Sequence, residues 1–162
     1  MENDRGLRPP PTGLSRLLFR LPVHLYRARL GWLFGDRLLM LTHTGRVTGR
    51  TRRTVVEIVE RDPADGSFTV CSGYGPRADW YRNLMARPEA AVQVGTRTIP
   101  VTAEPLPADR AAEALVRYAR RHPRAARSLS RLVGLPLDGS EAGYRRAAEI
   151  LPFVRLVPRH RG

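Results

Sequence analysis

At 162 residues and 42% hydrophobic content, the chain has material for one compact core and too little for two large domains. Its single cysteine, Cys71, excludes an internal disulfide and a CxxC metal site, and fits a reducing, cytosolic setting. The net charge is +13 and all 28 Lys+Arg residues are arginine, a pattern that looks like a bias toward arginine over the whole chain; the lack of a helix-turn-helix, zinc or RNP pattern argues against a nucleic-acid surface and leaves a solvated arginine-rich surface or a preference for anionic ligands or membranes.

Residues 1–13 are polar, with three consecutive prolines (Pro9 to Pro11), and predict a disordered lead. Residues 14–34 read as an amphipathic helix: Leu14, Leu17, Leu18, Leu21 and Leu25 recur near helical spacing, with Arg16, Arg20 and Arg27 between them. Such a helix lies across the core, flaps over a ligand, or touches a membrane surface from the cytoplasmic side. No stretch reaches the roughly 18 apolar residues of a spanning helix, and "MENDRGLRPPPTG" lacks the order of a secretory signal. Residues 14–162 are expected to form a single domain.

From residue 37 the pattern changes to short strands. "RLLMLTH" is a buried strand, and "RRTVVEIVERD" and "SFTVCSG" are two more, joined by the turn "DPADG" with Gly66 at the positive-φ position. "PRADWYRNLMARP" predicts a short helix with Asp79 in its first turn and Pro88 just past its end. "AAVQVG" and "RTIPVTAEPL" predict a hairpin turning at Gly95-Thr96. Helices are expected over 107–122, 123–134 and 139–151, and a last strand in "PFVRLVPR". The hairpin connections imply a mostly antiparallel sheet of six strands, an α+β arrangement that closes into a small barrel with helices outside.

Two segments stand out chemically. "LTHTGRVTGRTRR" (41–53) contains no carboxylate; Gly45 and Gly49 free the backbone for sharp turning. Thr44, Thr48, Thr51 and nearby N–H groups can donate to phosphate oxygens, and Arg46, Arg50 and Arg52 add permanently charged donors. The glycine spacing is not a Walker motif, and a plain hairpin turn with solvated arginines is the competing reading. In "CSGYGPRADWYRNLMARP", Ser72, Gly73 and Gly75 sit where strand gives way to loop, so a flat heteroaromatic ring could lie against them. Tyr74 and Tyr81 offer phenols there, while Trp80 and Leu84 suit the buried face of the helix. Cys71, inside a strand, reads as a buried thiol rather than a nucleophile. The four histidines are scattered and no metal site is expected.

Together the two segments resemble the deazaflavin-dependent nitroreductase family. "LTHTGRVTGRTRR" is similar to its TTGR-x-[ST]-G-x-x-R signature, and "DWYRNLMARPEAAVQVG" to its WYxNLxANPxVxVxxG stretch. The likeness runs from about Leu38 to Thr102 and returns in the closing strand. It implies a split β-barrel related to the flavin-binding oxidases, and the deazaflavin coenzyme F420, whose reduced ring passes a hydride to a quinone, nitroaromatic or activated alkene. Arg46, Thr48, Gly49 and Arg52 fall on signature positions and would hold the coenzyme's phosphate and oligoglutamate tail, with Gly45 and Arg50 beside them, while Ser72 and Gly73 would contact it on the ring side. Val47 stands where some members carry lysine, and His43 where threonine is frequent. Ser72, Tyr74, Tyr81 and Tyr144 are the groups able to steady or protonate a small-molecule acceptor. The same barrel carrying FMN is one alternative; a non-enzymatic basic module for anions or membranes is another.

Overall fold

The computed structural model describes residues 37–73, 75–124, 126–127 and 140–160. The lead at 1–13, the expected amphipathic helix at 14–34, Tyr74 and most of the helix expected over 123–134 lie outside the described residues. Six strands form a closed barrel: β1 (Leu38–Thr44), β2 (Thr51–Arg61), β3 (Phe68–Cys71), β4 (Glu89–Val94), β5 (Arg97–Pro105) and β6 (Phe153–Pro158). Their order around it is β1-β2-β3-β6-β5-β4, and every neighbouring pair is antiparallel. Among the described residues, three α-helices are fully delimited: α1 (Asp79–Ala86), α2 (Ala108–Arg121) and α3 (Glu141–Ile150). Each expected strand and these three helices are present, with ends shifted by one to three residues.

Period-2 alternation explains how the sequence closes the barrel. Leu39 and Leu41 of β1, Val56 of β2, Phe68 and Val70 of β3, Val92, Val101, and Val154 and Leu156 of β6 meet in one inner cluster. The opposite faces of β2 and β6, through Val59 and Phe153, pack against Ala111, Leu115, Tyr118 and Ala119 of α2 and Ala147 and Ala148 of α3. Arg117 of α2 clasps Glu60 of β2 through two hydrogen bonds of 2.6 and 3.0 Å, and Tyr118 donates to Glu57 at 2.7 Å. Burial and that hydrogen bond push the Tyr118 phenol well up from its ordinary value.

The antiparallel pairings sort the connections by end. The tight β2–β3 turn, where Gly66 has φ +73°, and the β4–β5 turn at Gly95, φ +58°, lie at one end. The β1–β2 loop, the β3–α1–β4 segment and the β5–α2–α3–β6 connection all leave from the other. α1 closes part of that second end. Its residue Leu84 is fully buried in the inner cluster, with Trp80 and Tyr81 packed against it, which a helix achieves only at an open end of a closed wall. Arg87 marks the stop, its N–H returning to the Asn83 carbonyl at 2.8 Å one residue before Pro88. Leu84→Ala is expected to cost about 2–5 kcal/mol of stability by leaving a void inside the barrel. Denaturant unfolding of the two proteins measures it; a loss below about 1 kcal/mol would mean that α1 is not part of the core.

Candidate functional site

The β1–β2 loop is a self-bonded turn rather than an open coil. The last strand pair is Thr44 with Thr51. Within the loop, Gly45 N–H donates to the Arg50 carbonyl at 2.8 Å and Gly49 N–H to the Gly45 carbonyl at 2.9 Å. Arg50 N–H donates to Thr48 Oγ1 at 3.3 Å, which leaves the Thr48 hydroxyl proton free to donate outward. Gly49 takes φ +68°, which favours glycine, and Gly45 sits in a close approach: a Cβ there would stand 3.3 Å from both the Arg50 carbonyl oxygen and Thr48 Oγ1, so the loop would have to shift slightly. The tip is open, with Val47 86% exposed.

A buried side chain of α1 anchors this loop. Asn83 Oδ1 accepts from the Arg46 backbone N–H at 3.0 Å and from Arg46 Nη1 at 2.9 Å, while Arg46 Nη2 pairs with Asp79 at 3.1 Å. The Asn83 amide nitrogen lies 3.1 Å from His43 Nδ1. His43 follows Leu39 and Leu41 on the inward face of β1, is 5% exposed and stands across the ladder from Arg52. Its pKa falls to about 4, first because burial disfavours the imidazolium and then because Arg52 repels it, with Asp79 acting the other way. Asn83, Asp79 and His43 therefore belong to the site, although none was singled out as a site residue from the sequence. A signal for them was present: asparagine beside Leu84 on the helix, four residues after Asp79 and so on the same face.

The expected ligand-holding groups separate into two kinds. Arg50, Arg52 and Thr51 are exposed, as is Arg53 beside them. Among the described residues no carboxylate lies within ion-pair distance of Arg50, Arg52 or Arg53. Arg46 instead places one guanidinium N–H on Asn83 and one on Asp79, and so braces the loop against α1. Ser72 is 1% exposed; its hydroxyl donates to the Gly75 carbonyl at 2.7 Å and its N–H to the Pro152 carbonyl at 2.9 Å, so it shapes the turn after β3. Gly73 lies in that turn. β2 runs from Thr51 to Ile58 before meeting β3, roughly 20 Å along the strand at a strand's rise per residue. The glycine-arginine loop and the Ser72 turn are thus two stations at one end of the barrel.

The tyrosines separate too. Tyr81 sits half-buried on α1, its ring edge-on to Trp80 at 6.3 Å. Tyr144 packs against the helical cluster outside the barrel instead. Cys71 faces that same cluster, and burial pushes its thiol well above the ordinary range, in keeping with an inert side chain. Two concavities of about 200 and 380 Å³ lie beside α2, the second lined by Glu60, Asp62, Arg110 and Arg155; no expected ligand-holding or catalytic residue lines either. Among the described residues no group of three histidine, cysteine or acidic side chains is placed to hold a metal, and no helix is long and apolar enough to cross a membrane.

Comparison with known proteins adds the following. A family model described as F420H(2)-dependent quinone reductase matches residues 18–132, well over half of the chain. An F420-H2 dependent reductase of known structure, FDR-A, superposes with a TM-score of 0.52 at 19% identity, covering 74% of this chain and 93% of its own. A protein of unknown function from Agrobacterium tumefaciens gives 0.56 at 20% identity, covering 94% of this chain; this chain spans only 59% of that one. A pyridoxamine 5'-phosphate oxidase-related, FMN-binding protein of Nostoc punctiforme gives 0.51 at 14% identity, with 91% and 81% covered. At these identities the structural likeness establishes a split β-barrel and no more. No curated protein matches the chain.

The neutral, buried His43 carries a pH dependence of defined sign. Its pKa is about 4 in the folded chain and near 6.5 when unfolded, so the unfolded state binds the extra proton between those values. Its contribution to stability is complete above pH 6.5 and is lost as the pH falls towards 4, by at most about 3 kcal/mol. Unfolding measured at pH 7, 5.5 and 4.5 should show a steeper acid loss in wild type than in His43→Gln, which cannot titrate. Parallel losses would place the lability elsewhere.

Proposed function

The chain belongs to the F420H(2)-dependent quinone reductase family, and we propose that it is an F420H2-dependent oxidoreductase that reduces a quinone-type acceptor, with the glycine-arginine loop as its coenzyme-tail site. The carrying observation is the loop itself: a turn braced on buried Asn83, presenting Arg50, Arg52 and Arg53 with no carboxylate partner among the described residues. That donor set fits an anion, and a coenzyme with a phosphate and an acidic tail offers several.

When bound, the reduced coenzyme supplies the hydride. The chain supplies everything else. Arg52 and Arg50 hold the anionic tail, and the Thr48 hydroxyl donates beside them. Arg46 keeps the loop seated on α1. Ser72 and Gly73, the second station, would lie beside the ring; the Ser72 proton is committed to the Gly75 carbonyl, so Ser72 positions rather than protonates. Tyr81 is the described phenol best placed to donate to an acceptor oxygen, because its hydroxyl has no hydrogen-bond partner among the described residues and its ring is held by Trp80. Tyr144, in the helical layer, acts on the acceptor only if the substrate reaches across α3.

Titration of F420 and FMN separately, followed by fluorescence, tests the reading. F420 should bind, and its reduced form, F420H2, should be oxidised by a soluble quinone in the protein's presence; tight FMN binding with no F420 binding would overturn the reading. Arg52→Ala should weaken F420 about tenfold, the effect of losing one charge-assisted hydrogen bond. An unchanged Kd would remove Arg52 from the tail site. Tyr81→Phe keeps the ring and removes the hydroxyl, so turnover should fall by roughly 10² with coenzyme affinity intact. Equal turnover in the two proteins would exclude Tyr81 as the donor.

A further inference from the structure

The amide of Asn83 has only one orientation that satisfies its neighbours. Its Oδ1 takes two N–H donors from Arg46, so the group facing His43 Nδ1 at 3.1 Å is the NH2. An NH2 donates; Nδ1 therefore accepts, and the imidazole proton sits on Nε2. Every fully buried side-chain nitrogen and oxygen has a partner among the described residues. His43 has its single hydrogen bond through Nδ1, so Nε2 is both unpaired and not sealed off. Arg52 stands opposite in the ladder, and Gly45, two residues on, is where the loop backbone turns.

We infer that His43 is a coenzyme-binding residue whose Nε2–H, held in place by Asn83, donates to a phosphate oxygen of the bound deazaflavin alongside Arg52. The inference rests on the loop from Gly45 to Arg53 being the tail site. A neutral donor suits this position. Arg52 already supplies charge, and an imidazolium beside that guanidinium would be repelled, whereas a neutral N–H adds a hydrogen bond without the repulsion. The charged groups facing the ring are Arg52 from β2 and Asp79 from α1, and Asp79 is itself paired with Arg46. The depressed pKa of His43 agrees: the ring stays neutral, and its donor stays present, throughout the neutral range.

Nitrogen-15 spectra of the His43 side chain, with occupancy followed by deazaflavin fluorescence, test this directly. The free protein should show the Nε2–H tautomer. Saturation with F420 should shift the Nε2 signal and slow its proton's exchange with water, and the same deazaflavin stripped of phosphate and glutamate chain should not. The Kd for F420 should rise about tenfold in His43→Leu, and His43→Gln, whose amide NH2 reaches the place of Nε2, should recover most of the loss. An Nδ1–H tautomer, an Nε2 signal unmoved at saturation, or an equal response to the stripped deazaflavin would overturn the inference. If His43→Leu does not fold, the wild-type spectra and His43→Gln decide. A wild-type protein that binds no F420 at all overturns the tail-site reading, and this inference with it; binding without an Nε2 response overturns this inference alone.

Discussion

A primary amide taken out of water costs roughly 1–3 kcal/mol for each group left without a partner, and Asn83 is 4% exposed. Its environment is therefore constrained from three directions. The oxygen needs Arg46, the nitrogen needs His43, and the backbone must hold α1 where both can be reached. These partners come from the β1–β2 hairpin, some 40 residues earlier in the chain. Only a fold that brings the middle of α1 against the end of β1 satisfies all three bonds. The same three bonds set the loop's orientation and the histidine's tautomer. Structure and ligand chemistry are thus joined at one side chain.

The barrel makes that junction possible by segregating its connections. Two hairpin turns of tight geometry close one end, where Gly66 and Gly95 take positive φ. The longer connections all cluster at the other end, so any ligand-sized surface has to be built there. α1 fills part of the opening with Leu84 and lines it with Trp80 and Tyr81. The stagger between the ends of β1 and β3 keeps the glycine-arginine loop and the Ser72 turn apart along β2. An elongated ligand with an anionic tail and a flat ring matches two such stations better than a compact anion does.

The alternating strands were legible because a wall with one face inside a core must repeat every second residue, as Leu39-Leu41 and Val154-Leu156 do. The loop was legible because glycines with demanding geometry stood among arginines. The division of labour among those arginines was not. Arg46 and Arg52 look alike in a string of letters; only Asp79 and Asn83, distant in sequence, turn the first into a strut. Ser72 was expected to face a ligand, and a local bond to Gly75, three residues on, takes its proton. Tyr144 and Tyr81 were grouped by chemical type, whereas the barrel wall assigns them to different clusters. Periodicity reports which face a residue takes; it does not report which partner from another element arrives there.

The same distinction governs the charge. A net +13 suggests a uniformly basic surface, yet β2 shows a polarised one. Its second half carries Glu57 and Glu60, and these are consumed by Arg37, Arg117 and Arg121 in fastening α2 and the start of β1. The β2–β3 turn likewise sets Asp62 and Asp65 against Arg155. These four carboxylates thus neutralise arginines where helices and strands are held together. At the first half of β2 no such partner is present among the described residues, and Asp79 is engaged by Arg46. The uncancelled charge of Arg50, Arg52 and Arg53 follows from the excess of arginine together with the placement of these carboxylates elsewhere. Exposed ion pairs contribute little stability one by one, so their positions matter more here for where they leave the field uncancelled.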